Sequence, residues 1–96
     1  MTLTSKQRAT LRSKANQMPA IFHVGKDGVN PEFIIGVRDA LEARELIKID
    51  LNQNCELEVD EAAEIVASRT GAEVVQIIGR KFVLYKKSKT RKEGVL

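Results

Sequence analysis

A chain of 96 residues, 43% hydrophobic and 30% charged, has room for one soluble globular domain with one modest core and no separate catalytic unit. Aromatics make up 4% (Phe22, Phe33, Phe82 and Tyr85), which argues against a base-stacking aromatic platform, and the single cysteine, Cys55, excludes an intramolecular disulfide framework and a Cys-based zinc site. The net charge is +3, no apolar run reaches the roughly 18 residues of a membrane span, and the N-terminus lacks the apolar core of a signal peptide.

Thr4 and Gln7 have the spacing of a capping box, and a helix is expected over residues 5–16. Its apolar content is thin, so most of its surface must meet water or a charged partner. Pro19 closes the region. Residues 20–24 read as a short strand that stops at Gly25-Lys26-Asp27-Gly28. Asn30 is a good N-cap and Pro31 suits the first helical position, so a helix is expected over 31–44. Residues 46–51 alternate with period two and read as a half-buried strand. A third helix is expected over 56–70, with Val59 and Asp60 allowing a later start and Gly71 fitting the left-handed position after it. Residues 73–78 and 81–86 form a hairpin joined at Gly79-Arg80. From Lys87 the chain is polar and basic, and it is expected to fray at its end.

The order helix, strand, helix, strand, helix, strand, strand predicts an α/β domain. Strands separated by helices favour parallel pairing, and the last hairpin adds an antiparallel pair. The expected architecture is a mixed four-stranded sheet with helices packed on it.

The modest net charge conceals a cancellation. Residues 1–26 carry +5, residues 27–78 carry −8 and residues 79–96 carry +6. If the fold brings the basic ends together, a polyanion meets a more positive face than +3 suggests.

The segment 20–31 carries the chemistry: a strand, a Gly-x-x-Gly turn with Lys26 inside, and a capped helix. Glycines let a ligand approach the main chain closely. Amides at a helix start suit a phosphate, and Lys26 adds a mobile cation. Such a loop can clamp a nucleic-acid backbone without reading bases, as in domains of the KH type. The longer nucleotide-binding patterns are missing, which speaks against an NTPase.

Together with this loop, several separated motifs resemble the CRM domain family, found alone in bacteria as YhbY-like proteins and repeated in plant organellar splicing factors. They are Leu11-Arg12-Ser13-Lys14-Ala15, Val24-Gly25-Lys26-Asp27-Gly28-Val29, Leu46-Ile47-Lys48, Thr70-Gly71, Val75 through Arg80, and Leu84-Tyr85. The resemblance covers about residues 2–87 and leaves 88–96 as a basic tail. Asn16 and Asn30 stand where relatives often have His and Thr, and both keep a polar, capping-competent side chain. The resemblance implies a fold similar to the C-terminal domain of translation initiation factor three and RNA binding through the loop and adjacent basic surfaces. For stand-alone bacterial members it implies ribosomal RNA in the precursor of the large ribosomal subunit as partner, in the cytoplasm.

The candidate RNA-binding residues are Gly25, Lys26, Asp27 and Gly28 in the loop, Arg8 and Arg12 on one face of the first helix, Arg80 and Lys81 in the hairpin, and Lys86 and Lys87 after it. Lys89, Arg91 and Lys92 extend the basic run. Asp27 reads as a turn former whose side chain bonds local amides. His23 points to the opposite sheet face from Phe22 and Val24 and has no nucleophile paired with it. Cys55 reads as incidental. Glu58, Glu61 and Glu64 form an acidic helix face that would repel RNA and so orient the domain. No cofactor, metal, small-molecule substrate or catalytic residue is expected. The rival readings are a protein-interaction module using the acidic middle, a nucleotide-dependent enzyme and a DNA binder.

Overall fold

The structure, a computed structural model, describes residues 3–90 and 94–96. Its elements in chain order are α1 (Ser5–Ala15), β1 (Phe22–Val24), α2 (Pro31–Arg44), β2 (Leu46–Leu51), α3 (Val59–Thr70), β3 (Glu73–Ile78) and β4 (Lys81–Tyr85). The order is the expected one, and α2, β2 and β3 keep their expected bounds.

Local chemistry explains most of the ends. Thr4 Oγ1 accepts from the Gln7 amide at 3.1 Å, and Gln7 Oε1 accepts from the Thr4 amide at 2.9 Å, closing the capping box of α1. Asn30 Oδ1 accepts from the Phe33 amide at 2.8 Å, with Pro31 in the first turn of α2. The third helix begins at Val59, one of the two later starts the sequence allows, with Glu58 as N-cap in a capping box with Glu61, whose Oε1 accepts from the Glu58 amide at 3.4 Å. Gly71, at φ 76°, ends it. The first strand is shorter than expected at its start, although the Ile21 amide already donates to Lys48 O.

The sheet order is β1-β2-β4-β3. The first two strands pair in parallel, with His23 opposite Asp50, and β4 pairs antiparallel with both β2 and β3. The connection through α3 does not make β2 and β3 neighbours. The two-residue hairpin at Gly79-Arg80 brings β4 back between them, and a bulge at Val74/Gln76 adjusts its register.

Two apolar clusters hold the layers. On one face, Val24, Ile47, Ile49, Leu51, Phe82 and Leu84 pack against Ile34, Val37 and Leu41 of α2 and Ala62, Ala63 and Val66 of α3. Cys55 belongs to this cluster: it is buried in the core, not incidental to a polar loop. On the other face, Leu11 and Ala15 of α1 pack with Leu3 on Leu46, Val75, Val83 and Tyr85. Among the described residues, no helix is long and apolar enough to cross a membrane.

One joint is strained. The second helix passes into β2 through a single residue, Glu45, at φ 66° and ψ −38°, although it is not glycine. Such a conformation costs about 1–3 kcal/mol and persists only where surrounding contacts enforce it. Here they do. Glu45 is 1% exposed, its carbonyl accepts from the Lys86 amide, and its carboxylate accepts from the Ser88 amide at 2.7 Å and the Val95 amide at 2.8 Å. Glu42, one turn earlier, accepts from the Ser88 hydroxyl and from the amides of Lys89 and Thr90. The segment expected to fray is therefore anchored at residues 88–90 and at Val95. Arg91, Lys92 and Glu93 lie outside the described residues.

Candidate nucleic-acid interface

The Gly25–Gly28 loop is a tight turn in which the Gly28 amide donates to Gly25 O at 3.0 Å. Its two arms are fastened by Phe22, at the start of β1, and Phe33, in the first turn of α2. These rings meet edge to face with centroids 5.7 Å apart, so the turn is presented on a stiff base.

The two glycines are there for different reasons. Gly28 sits at φ 70°, which a side chain rarely adopts, so the turn itself asks for glycine. Gly25 has no such φ, and a Cβ there would meet nothing within 4 Å. The fold gives no reason for glycine at position 25, whereas close approach of a ligand to the main chain would.

The donors of the loop are also specific. The amides of Lys26 and Asp27 donate to no group among the described residues, and both residues are exposed. The expected contribution from the start of α2 is smaller than its dipole suggests: Pro31 has no N–H, the Phe33 amide is taken by Asn30 Oδ1, and the Ile34 amide by Asn30 O. Asp27 differs from expectation, since its side chain makes no hydrogen bond among the described residues and the turn is closed by the main-chain bond from Gly28 to Gly25.

Arg80 and Lys81 stand at the same end of the sheet. Arg80 Nε donates to Leu51 O at 3.1 Å and its Nη2 to Asn52 O at 2.7 Å, while the Asn52 amide donates to Val24 O. The guanidinium thus braces the end of β2 against the strand that leads into the loop. Lys81 is exposed beside it.

The other candidates fall elsewhere. Lys86 and Lys87 follow the far end of β4, about 17–20 Å along the strand from Lys81 at roughly 3.3 Å per residue. Lys86 Nζ donates to Thr70 O at 2.9 Å and so caps α3, and Lys87 is exposed. Arg8 reaches β3, donating to Val74 O at 2.8 Å and meeting Glu73 Oε2 at 3.3 Å. Arg12, one turn on, is half-buried. The fold therefore gathers the loop and the hairpin turn but sets Arg8, Lys86 and Lys87 apart from them. Glu58, Glu61 and Glu64 are exposed on α3, which packs on the opposite sheet face from α1.

Sequence reasoning missed the pairing of His23 with Asp50, whose Nδ1 and Oδ2 lie 3.3 Å apart. Alternation gave each side chain its face, but the register of β1 on β2 was needed to bring them together. It missed as well the two carboxylates that hold the tail.

The CRS1 / YhbY (CRM) domain profile matches residues 3–86. The chain is 48% identical over 91 residues to the probable RNA-binding protein YqeI of Bacillus subtilis, covering 95% of each. It is 35% identical over 86 residues to a probable RNA-binding protein of Methanocaldococcus jannaschii, covering 88% of this chain and 63% of that one. A solution structure of a hypothetical Staphylococcus aureus protein, described as a candidate RNA-binding protein, superposes with a TM-score of 0.78 at 43% identity over 95% of both chains.

Proposed function

We propose an RNA-binding function from one premise: the chain belongs to the CRS1 / YhbY (CRM) domain family. The relatives named above as probable RNA-binding proteins support extending that activity to this chain. The mode is a grip on the backbone. The free amides of Lys26 and Asp27 and the Lys26 ammonium take phosphates, Gly25 and Gly28 let the strand approach the main chain, and Arg80 and Lys81 flank the contact. The observation that carries this reading is Gly25, a glycine that neither φ nor packing requires.

In this reading Arg8 and Lys86 serve the fold first, and Arg12 and Lys87 add charge at a distance. Between the two ends of β4 the separation exceeds the Debye length of about 10 Å at 0.1 M salt, so the tail does not reinforce the loop strongly. The chain acts by binding, without catalysis. With few aromatics, RNA shape and backbone outweigh base sequence. The proposed target is ribosomal RNA in the precursor of the large ribosomal subunit. Crosslinking in cells followed by sequencing of the bound RNA tests that target, and recovery of messenger or transfer RNA in its place would refute it.

The grip itself is tested by a salt series on ribosomal RNA with the native chain and Lys26→Ala. The variant binds more weakly, and its log K against log salt is shallower by about one phosphate, a slope change of roughly 0.7–0.9. An unchanged affinity and slope would remove Lys26 from the interface.

A further inference from the structure

We infer that the sheet face beside the loop carries a reading site for one unpaired guanine, built on Asp50 and His23. This rests on the RNA-binding reading and extends it from the backbone to a base.

The site is a row of four side chains, one from each strand. His23 lies opposite Asp50, Asp50 opposite Lys81, and Lys81 opposite Ile78. All four project on the side of α1, because their strand neighbours Val24, Ile49, Leu51 and Phe82 are in the core beneath α2 and α3. The cluster under α1 includes Val83 but no member of the row, so the row stays open across about 14 Å of sheet. The side chains of His23 and Asp50 are 64% and 30% exposed, Ile78 is 50% exposed, and Lys81 is exposed. His23 lies two residues before Gly25, and Lys81 and Ile78 flank the Gly79-Arg80 turn, so the row continues the surface of the clamp.

Asp50 is the unexpected member. A carboxylate on a phosphate-binding surface repels the strand unless it accepts from something that strand supplies. Among the described residues its one bond is to His23 at 3.3 Å, and Lys81, its cross-strand neighbour, makes no ion pair with it. Oδ1 has no partner among the described residues. Of the four RNA bases, guanine alone sets two donors, N1–H and the N2 amino group, side by side on its Watson–Crick edge, which matches the two oxygens of a carboxylate. Adenine and cytosine place a ring acceptor beside their amino donor, and uracil flanks its single N–H with two carbonyls. The carboxylate repels each of those acceptors. The His23 ring, next to Asp50 across the strands, supplies the flat surface on which an unstacked base rests, and Lys81 on the other side of Asp50 meets the adjoining phosphate.

The test measures binding of the full chain to single-stranded uridine oligomers that carry one central guanosine, inosine or adenosine. The native protein prefers guanosine over adenosine on the order of ten-fold, with inosine, which lacks the N2 amino group, between them. Asp50→Asn raises the adenosine affinity, lowers the guanosine affinity, and abolishes or reverses the preference, because an amide pairs with adenine instead. Lys26→Ala weakens all three strands alike and keeps the preference. Equal binding of the three strands by the native chain, or a preference that survives in Asp50→Asn, overturns the guanine site while leaving the backbone grip standing. Failure of the native chain to bind any RNA overturns the grip and the guanine site together. Unchanged thermal unfolding of Asp50→Asn confirms that its loss is one of recognition and not of folding.

Discussion

The two ends of β4 show opposite uses of charge. At the Tyr85 end, carboxylates are buried or saturated: Glu45 accepts two main-chain amides and Glu42 two more with a hydroxyl, all from the tail. Lys86 is likewise consumed by a helix carbonyl. At the Lys81 end, donors are left open: the loop amides of Lys26 and Asp27 have no partner among the described residues, and Lys26 and Lys81 are exposed. The first pattern holds a chain segment in place, and the second is what an external anion needs. Counting basic residues treats the two ends as equal, whereas counting satisfied hydrogen bonds separates them.

The comparison can be broken by exchanging consequences between the ends. The largest expected effect is at Glu45. Glu45→Ala removes an acceptor of two amides yet keeps the strained φ, and it should destabilise the fold by about 2 kcal/mol in urea unfolding with RNA affinity unchanged. Glu45→Gly loses the same bonds but relaxes the backbone, so it should cost about 1 kcal/mol less than Glu45→Ala. Equal losses would show that the joint stores no strain.

Gly28→Ala and Gly25→Ala sharpen the contrast within the loop. The former forces a side chain into positive φ and should cost about 1 kcal/mol of stability. The latter should leave stability within about 0.5 kcal/mol of the native chain while weakening RNA binding several-fold. A stability loss at Gly25 equal to that at Gly28 would return both glycines to the turn and remove the argument for a ligand. Lys86→Met keeps the aliphatic stem and deletes the α3 cap. It should lower stability by about 0.5–1 kcal/mol and leave the salt slope of RNA binding intact.

The smallest effect is a pH response at the tail. The Lys89 amide above all, with Ser88 and Thr90 adding to it and slight burial opposing, holds the Glu42 carboxyl below its ordinary range. A carboxyl depressed in the folded state contributes stability that is complete above the unfolded value of about 4 and is lost as pH falls through the lower folded value. Amide resonances of Lys89 and Thr90 should therefore titrate at a lower pH than an unperturbed glutamate, and their invariance through acid titration would deny the contact.

Much of the architecture is legible in the sequence because its signals are local. Asn30-Pro31 and the apolar spacing that follows define α2, and Gly79-Arg80 defines the hairpin. Glu58 is a weak cap signal, so the sequence leaves the start of the third helix open between 56 and 60, and the structure places it at Val59. The loop was visible as Gly-x-x-Gly, but the division of labour between its glycines was not, since it depends on φ and on empty space. What escaped were pairings between distant residues. Arg8 meets Glu73, Lys86 meets Thr70 and Glu45 meets Val95, separations that no periodicity encodes. For that reason the basic tail read as a loose extension of the interface, although its described residues are fastened to α2.

The central claim is that the open end of the sheet binds RNA and the fastened end does not. Parallel salt titrations of one structured ribosomal RNA with Lys26→Ala and Lys87→Ala test it directly. Both substitutions remove one exposed lysine and the same formal charge. The account predicts that Lys26→Ala loses affinity and flattens the slope by roughly 0.7–0.9, while Lys87→Ala tracks the native chain above about 0.1 M salt. Equal losses of affinity and slope in the two variants would contradict it.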